Sequence, residues 1–196
     1  MNDLVFDPVE HAYTLRGRRL PSVTQVLGLL QDWSRVDQEL LERAAEFGTH
    51  VHQAVDLWNR GILDVAALDP ALRPYLDAWC QWTIDAGATV LHSELRLAHP
   101  AFGYAGTVDA IVEIKGRLCV IDVKTGAVPR TVGAQLAAYA KAFEFNAKDF
   151  NLVPDVRRRI CVQLTPDGYR EHERKDPSDW SVFQSALNCW RFRNAA

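Results

Sequence analysis

The 196-residue chain has no run of 18 apolar residues, the minimum a helix needs to cross a bilayer, so nothing in it reads as a membrane span. Its opening, Met1-Asn2-Asp3-Leu4, has neither the charged and apolar blocks of a secretory signal nor the Arg-rich character of a transit peptide, and a cytoplasmic location is expected. The four cysteines, at 80, 119, 161 and 189, form no Cys-x-x-Cys pair. That excludes the common zinc and iron–sulfur spacings and argues against a disulfide framework, so all four read as small buried hydrophobes. Positive charge is not in surplus either: the net charge is −3, and bulk charge gives no sign of a nucleic-acid partner. Repeats and low-complexity linkers are absent. With 48% hydrophobic residues, the chain is expected to form one domain over 1–196 with a sizeable core.

What is present is organised by period. Residues 12–20 read as a small hairpin turning at Arg16-Gly17, and Ser22-Val23-Thr24-Gln25 reads as a capping box opening a short helix. Leu40, Ala44, Phe47, Val51, Val55 and Trp58 recur at helical spacing over 39–60, and Gly61 follows. A second helix is expected from about Pro70 to Gly87, with Leu72, Leu76, Trp79 and Trp82 inward. Residues 90–98 alternate as a strand, Leu91, Leu95 and Leu97 on one face and His92, Glu94 and Arg96 on the other. Helix 131–143, strand 159–165, its partner over 169–174 and a last helix capped by Ser178 complete the order, with Trp180, Phe183, Leu187 and Trp190 as its stripe. That order predicts an α/β fold, a mixed central sheet flanked by helices.

The most informative stretch is Gly106-Thr107-Val108-Asp109 followed by Ile121-Asp122-Val123-Lys124. Residues 105–114 and 117–124 are apolar and β-branched, and Lys115-Gly116 connects them, so they read as a hairpin. The register sets Asp109 opposite Asp122, with Lys124 on the same face. Two carboxylates about 5 Å apart repel unless a cation lies between them. A divalent-metal site beside a fixed ammonium is the expectation, and with it an Asp122→Asn variant no less stable than the wild type when metal is absent.

Other residues bear on this site. His52 lies beside the apolar stripe of the 39–60 helix, whereas His50 points elsewhere. Gly48 within that helix costs about 1 kcal/mol against Ala, so a close approach is expected there. Gln135 and Tyr139 share one helix face. Glu94 is either a third carboxylate or a surface partner of Arg96. The basic groups Arg16/Arg18/Arg19, Arg157-Arg158-Arg159 and Arg170/Arg174/Lys175 read as solvated surface that together could line a phosphate track.

In this order the motifs resemble the PD-(D/E)XK nuclease superfamily, and within it the RecB-like exonuclease branch. Gly48-Thr49-x-x-His52, Gly106-Thr107-Val108-Asp109, Asp122-Val123-Lys124 and Gln135-x-x-x-Tyr139 each match a branch motif, and Leu20 to Leu27 is similar to the opening of small phage members. The resemblance covers roughly residues 12 to 190. It implies a restriction-endonuclease-like sheet and a metal, Mg²⁺ or Mn²⁺, held by His52, Asp109, Asp122 and the Val123 carbonyl, with Glu94 reaching it through water. It implies Lys124 as the charge stabiliser, and Gln135 and Tyr139 as positioning groups. The implied activity is DNA exonuclease action in phage or prophage recombination, repair or replication, in the host cytoplasm if viral. The implied substrate is linear, possibly single-stranded DNA, and a single-strand annealing or recombination protein is a possible partner. No iron–sulfur frame and no helicase motif accompany it. An endonuclease or flap nuclease with the same site, and an inactive DNA-binding module, are the alternatives.

Overall fold

A computed structural model describes residues 3–195 apart from 33 and 35. Strands β1 (Leu4–Asp7), β2 (Ala12–Leu15) and β3 (Arg18–Leu20) form a small antiparallel sheet, ordered β1-β2-β3. Its second turn is the expected one, with Arg16 and Gly17 both at positive φ. The first strand was not read from the sequence, because Leu4–Asp7 is too short to show a period. Helix α1 (Val23–Leu27) follows, and its capping box is complete: Ser22 Oγ accepts from the Gln25 N–H while Gln25 Oε1 accepts from the Ser22 N–H.

Helices α2 (Gln38–Asn59) and α3 (Arg73–Ala86) lead into a five-stranded sheet. Its strands are β4 (Ala88–His99), β5 (Tyr104–Ile114), β6 (Arg117–Lys124), β7 (Val156–Thr165) and β8 (Gly168–Glu173), paired in sequence order. All neighbours are antiparallel except β6 and β7, which are parallel and joined through helix α4 (Val132–Asn146). Helix α5 (Asp179–Asn194) ends the chain. This is the mixed sheet flanked by helices expected from the order of periods.

The sheet is buried on both faces, which is why β6 is apolar on successive residues. On one side Val108, Ile111 and Val120 pack with Val23 of α1, Leu136 and Phe143 of α4, and Phe183 and Leu187 of α5. On the other, Val112, Cys119, Ile121 and Val162 meet Val51 and Val55 of α2 and Leu76, Trp79 and Trp82 of α3. Both indoles find acceptors: Trp79 donates to Asn59 and Trp82 to Glu171.

Several expectations are corrected. Leu40 and Trp58 are exposed, because α2 packs only through its middle, around Val51, Ala54 and Val55. Helix α3 starts at Arg73, three residues later than expected, with Pro74 in its first turn. Ser178 gives no side-chain cap to α5; its hydroxyl bonds Asp176 Oδ1 instead. Cys189 is exposed and Cys80 only half-buried, while Cys119 and Cys161 are buried as expected. Helix α4 has twelve of its fifteen residues buried, the shared face of Gln135 and Tyr139 included, because the sheet lies on one side and α1 and α5 on the others.

Of the two motif glycines, the one with a close approach from the fold itself is Gly106 rather than Gly48. A Cβ on Gly48 would stand 3.4 Å from Thr125 Oγ1, an ordinary contact. A Cβ on Gly106 would stand 2.8 Å from Cε1 of Tyr139 and 3.3 Å from Val23 Cγ2. The Tyr139 ring is itself buried in the core, so it has no room to withdraw. Gly106→Ala is therefore expected to lower the urea-unfolding free energy by about 1–3 kcal/mol, the usual cost of overpacking. An unchanged unfolding midpoint would show that the ring can move.

Candidate active site

The site sits where the five-stranded sheet splits. β5 and β6 hold the expected register from Ile114↔Arg117 to Ala110↔Ile121 and then stop pairing. β5 continues along β4, and β6 along β7 as far as Lys124↔Gln163. Asp109 and Asp122 flank the opening of this fork, one residue beyond the last pair, rather than facing each other across a continuous ladder.

The alternation of β5 also breaks here. Val108 packs on the α4 side and Ala110 on the α2–α3 side, although two residues apart. On β4, Ser93↔Ala110 and Leu95↔Val108 bracket Glu94 and set it opposite Asp109. Glu94 has φ +48°, a conformation that costs a non-glycine residue of order 1 kcal/mol and concentrates at functional sites. The three carboxylates thus cross β4, β5 and β6 in a row.

Two groupings result. His52, Glu94 and Asp109 present ligand atoms within 4.8 Å of one another. His52 Nδ1 lies 3.5 Å from Asp109 Oδ1 and 3.7 Å from Glu94 Oε1. Asp122 is turned the other way and fully buried. Its Oδ1 accepts from Lys124 Nζ at 2.8 Å and from Gln135 Nε2 at 2.7 Å. Its Oδ2 is also 2.8 Å from the Lys124 ammonium but has no hydrogen bond of good geometry, which leaves a buried carboxylate oxygen incompletely satisfied. Asp109 Oδ2 accepts from the Val123 N–H at 2.6 Å, so Val123 joins the site through its amide.

A cavity of about 560 Å³ opens over these groups. Gly48, Glu94, Lys124, Gln135 and Tyr139 line it, and the space left by Gly48 belongs to it. Tyr13 of β2 and Ser22 and Thr24 at α1 line it as well. Tyr13 shares a 2.7 Å hydrogen bond with Thr107. These three were not tied to the site from sequence: the hairpin and capping box were legible, but not where they dock. His50 is exposed and lies outside this cavity.

The basic groups do not gather here. Arg158 pairs with Glu171 and Glu173, Arg159 with Asp179, Arg157 with Asp155, and Lys175 with Glu173. The track drawn through Arg157 to Arg159 is thus corrected: those cations are neutralised by local carboxylates.

Electrostatics tie the groups together. Burial works against a charged His52, but the Asp109 carboxylate and the contacts to Asp109 and Glu94 outweigh it and push its pKa up to about 10. Burial likewise disfavours charge on Asp109, yet His52 and Lys124 hold it below the usual carboxylate range. Asp122 goes the other way, raised by burial and by Asp109 against the pull of Lys124. Burial raises Glu94 and, with the nearby carboxylates, lifts the Tyr139 hydroxyl, which stays protonated. For Lys124, burial is overcome by Asp122 and Asp109, so it stays charged.

No family model matches the chain, and no curated protein does. Among solved structures it is similar to "SSO0001", at 19% identity over 66% of this chain and 63% of that one, TM-score 0.37, so it spans less than two thirds of that protein. It is also similar to an alkaline exonuclease, LHK-Exo, from Laribacter hongkongensis, at 12% identity over 88% and 86% of the two chains, TM-score 0.42. The same enzyme in complex with dAMP gives 15% identity over 89% and 87%, TM-score 0.39. At these TM-scores the superpositions are loose, and the chemistry of the site rests on its own geometry.

Two outcomes follow for the metal-free protein. A group whose folded pKa is raised stabilises below its unfolded value and loses that contribution as pH climbs through the folded value. In EDTA, the melting temperature should carry a decline from about pH 6.5 towards 10 that His52→Gln lacks; the same decline in both proteins would mean another group titrates. Asp122→Asn should lower stability by about 1–3 kcal/mol, as for a buried hydrogen bond to a charged group. This reverses the expectation from carboxylate repulsion, because Asp122 holds Lys124 and Gln135. A denaturant midpoint at or above the wild-type value would restore it.

Proposed function

We propose that the chain is a single nuclease domain that hydrolyses DNA phosphodiester bonds with a divalent metal, acting as an exonuclease. The observation that carries this reading is the His52–Glu94–Asp109 ligand cluster beside the buried Asp122–Lys124 pair at the sheet fork. The donor set fits a hard divalent ion: three carboxylates and one imidazole suit Mg²⁺ or Mn²⁺, and the imidazole tilts it towards Mn²⁺. His52, Glu94 and Asp109 would hold it; the resemblance adds the Val123 carbonyl and Asp122, whose carboxylate would have to turn from Lys124 and Gln135 to reach it. Bound there, the ion would supply neutralisation of the scissile phosphate and a water of lowered pKa.

The chain's own residues do the rest. Lys124 keeps its charge and faces the cavity, where it stabilises negative charge growing on the phosphate during attack and departure of the 3′ or 5′ oxygen. Asp122 fixes that ammonium, and Gln135 fixes Asp122. Tyr139 remains a hydrogen-bond donor and seats the DNA end with Gln135. His52 must give up its proton before it can ligate. Because that proton is held up to about pH 10, metal uptake should release a proton throughout the neutral range, not only near pH 6.5.

The test is cleavage of end-labelled linear and of circular DNA, single- and double-stranded, with Mg²⁺, Mn²⁺ or EDTA. Linear DNA should be degraded and circular DNA spared; cutting of circles would make the enzyme an endonuclease. Asp122→Asn and Lys124→Ala should each lose about a hundredfold or more in rate. His52→Ala should fail at low Mn²⁺ and recover partly at high Mn²⁺, while His50→Ala behaves as wild type. Full activity in folded Lys124→Ala would sink the mechanism, and no cleavage under any condition would leave a binding module. A role in phage recombination with an annealing partner is the cellular setting this activity fits.

A further inference from the structure

Outside the active cavity, the basic residues divide into two clefts of different character. One, beside α4 and the start of β7, gathers Lys141, Arg157, Arg158, Arg159, Arg174 and Lys175, and all of these but Arg174 are ion-paired to a carboxylate among the described residues. The other, of about 590 Å³, lies between β3, α1 and the end of α5. Arg18, Arg19, Arg191, Trp190, Gln25 and Asn194 line it, and no carboxylate does among the described residues. Arg18 makes no ion pair among the described residues. Arg19 reaches Glu10 at 3.4 Å, and both side chains are more than half exposed, so that pair, like the exposed Arg157–Asp155 pair of the first cleft, holds its cation only weakly. Arg191 donates to the Phe102 carbonyl, which anchors its guanidinium at the groove wall.

This groove shares a wall with the active cavity. Leu20, Pro21 and Gln25 face the groove, while Ser22 and Thr24 face the cavity. The wall is pinned to β5, since the Ala105 N–H donates to the Pro21 carbonyl and Ser22 bridges Ala105. Gly103 and Gly106, on either side of Ala105, face the groove and the cavity respectively. A chain passing over the β3–α1 corner moves directly from one to the other.

We infer that the Arg18–Arg19–Trp190–Arg191 groove binds the sugar-phosphate backbone of the DNA strand that extends out of the active cavity. The inference rests on the nuclease reading and adds the route of the substrate. Guanidinium groups in a groove that no carboxylate lines suit phosphate oxygens, and a half-buried indole among them offers a face on which a base can stack. A chain with net charge −3 then needs no overall basicity to hold DNA, because a few cations gathered in one groove supply the phosphate contacts.

The test is fluorescence anisotropy of a labelled single-stranded dodecamer with the full chain in EDTA, at several salt concentrations. Three phosphate contacts contribute about 2 to the slope of log K against log salt, about 0.7 each for a single strand. Arg18→Ala/Arg19→Ala/Arg191→Ala should therefore bind on the order of a hundredfold more weakly at 0.1 M salt, with a slope shallower by about 2. The double variant Arg18→Ala/Arg19→Ala, which keeps the Arg191 anchor, should lose roughly 25-fold on the same reckoning. Arg157→Ala/Lys175→Ala, from the ion-paired cleft, should lose less than about twofold. Wild-type affinity and slope in the triple variant, an equal loss in the control, or no DNA binding by the wild type would each overturn the groove. Failure of the nuclease reading is separate: the wild type would bind with the expected slope, and the triple variant would lose it, yet no metal would bring cleavage.

Discussion

Everything at the site depends on β5 and β6 ceasing to pair after Ala110 and Ile121. Had the ladder continued, the Val123 N–H would be spoken for on its β5 side, and Asp109 would have no reason to turn towards it. With the strands parted, a buried N–H needs an acceptor, and the Asp109 carboxylate provides one. The parting also frees the two strand ends to take different companions. Asp109 reaches the α2 side and meets His52, while Asp122 reaches α4 and meets Gln135.

The fork also explains how so much charge is tolerated near a core. Asp122 is fully buried, and a buried carboxylate without a partner is very costly. Lys124, at the end of β6 itself, and Gln135, on the α4 helix that follows, are its partners. His52 serves Asp109 and Glu94 in a similar way. Its proton is a stand-in cation within the metal-free cluster, so three carboxylates can share one opening without forcing it apart.

Much of this was legible in the residues themselves. The Lys115-Gly116 turn set the register of the hairpin, because two residues at positive φ are what a tight connection requires. His52, Gln135 and Tyr139 were found by motif and spacing, and the structure brings all three to one cavity with Lys124. What stayed hidden was what period-2 reasoning cannot express. The alternation of β5 slips at Asp109, and Glu94 leaves the extended region, so neither residue's face could be had by counting. Glu94 was therefore ranked below Asp122 as a ligand, yet it is Glu94 that stands with His52 and Asp109. Gly48 and Gly106 were alike in sequence as motif glycines; only the packing of Tyr139 against Gly106 separates them. Charge was the least legible property, since the pair Arg158-Arg159 shows cations but not the carboxylates that β8 and α5 bring to them.

Helix α4 carries two of the site's residues and is enclosed on nearly every side. Tyr104 donates to its Ala138 carbonyl, and its own Asn146 donates to Ala98 on β4. With that packing its amides should exchange among the slowest in the protein, through global opening. Many enzymes lose their active sites first on heating, because catalytic groups ride on mobile loops. Here Gln135 and Tyr139 cannot be displaced without unpacking the sheet, α1 and α5 together, so heat inactivation and loss of the fold should be one event.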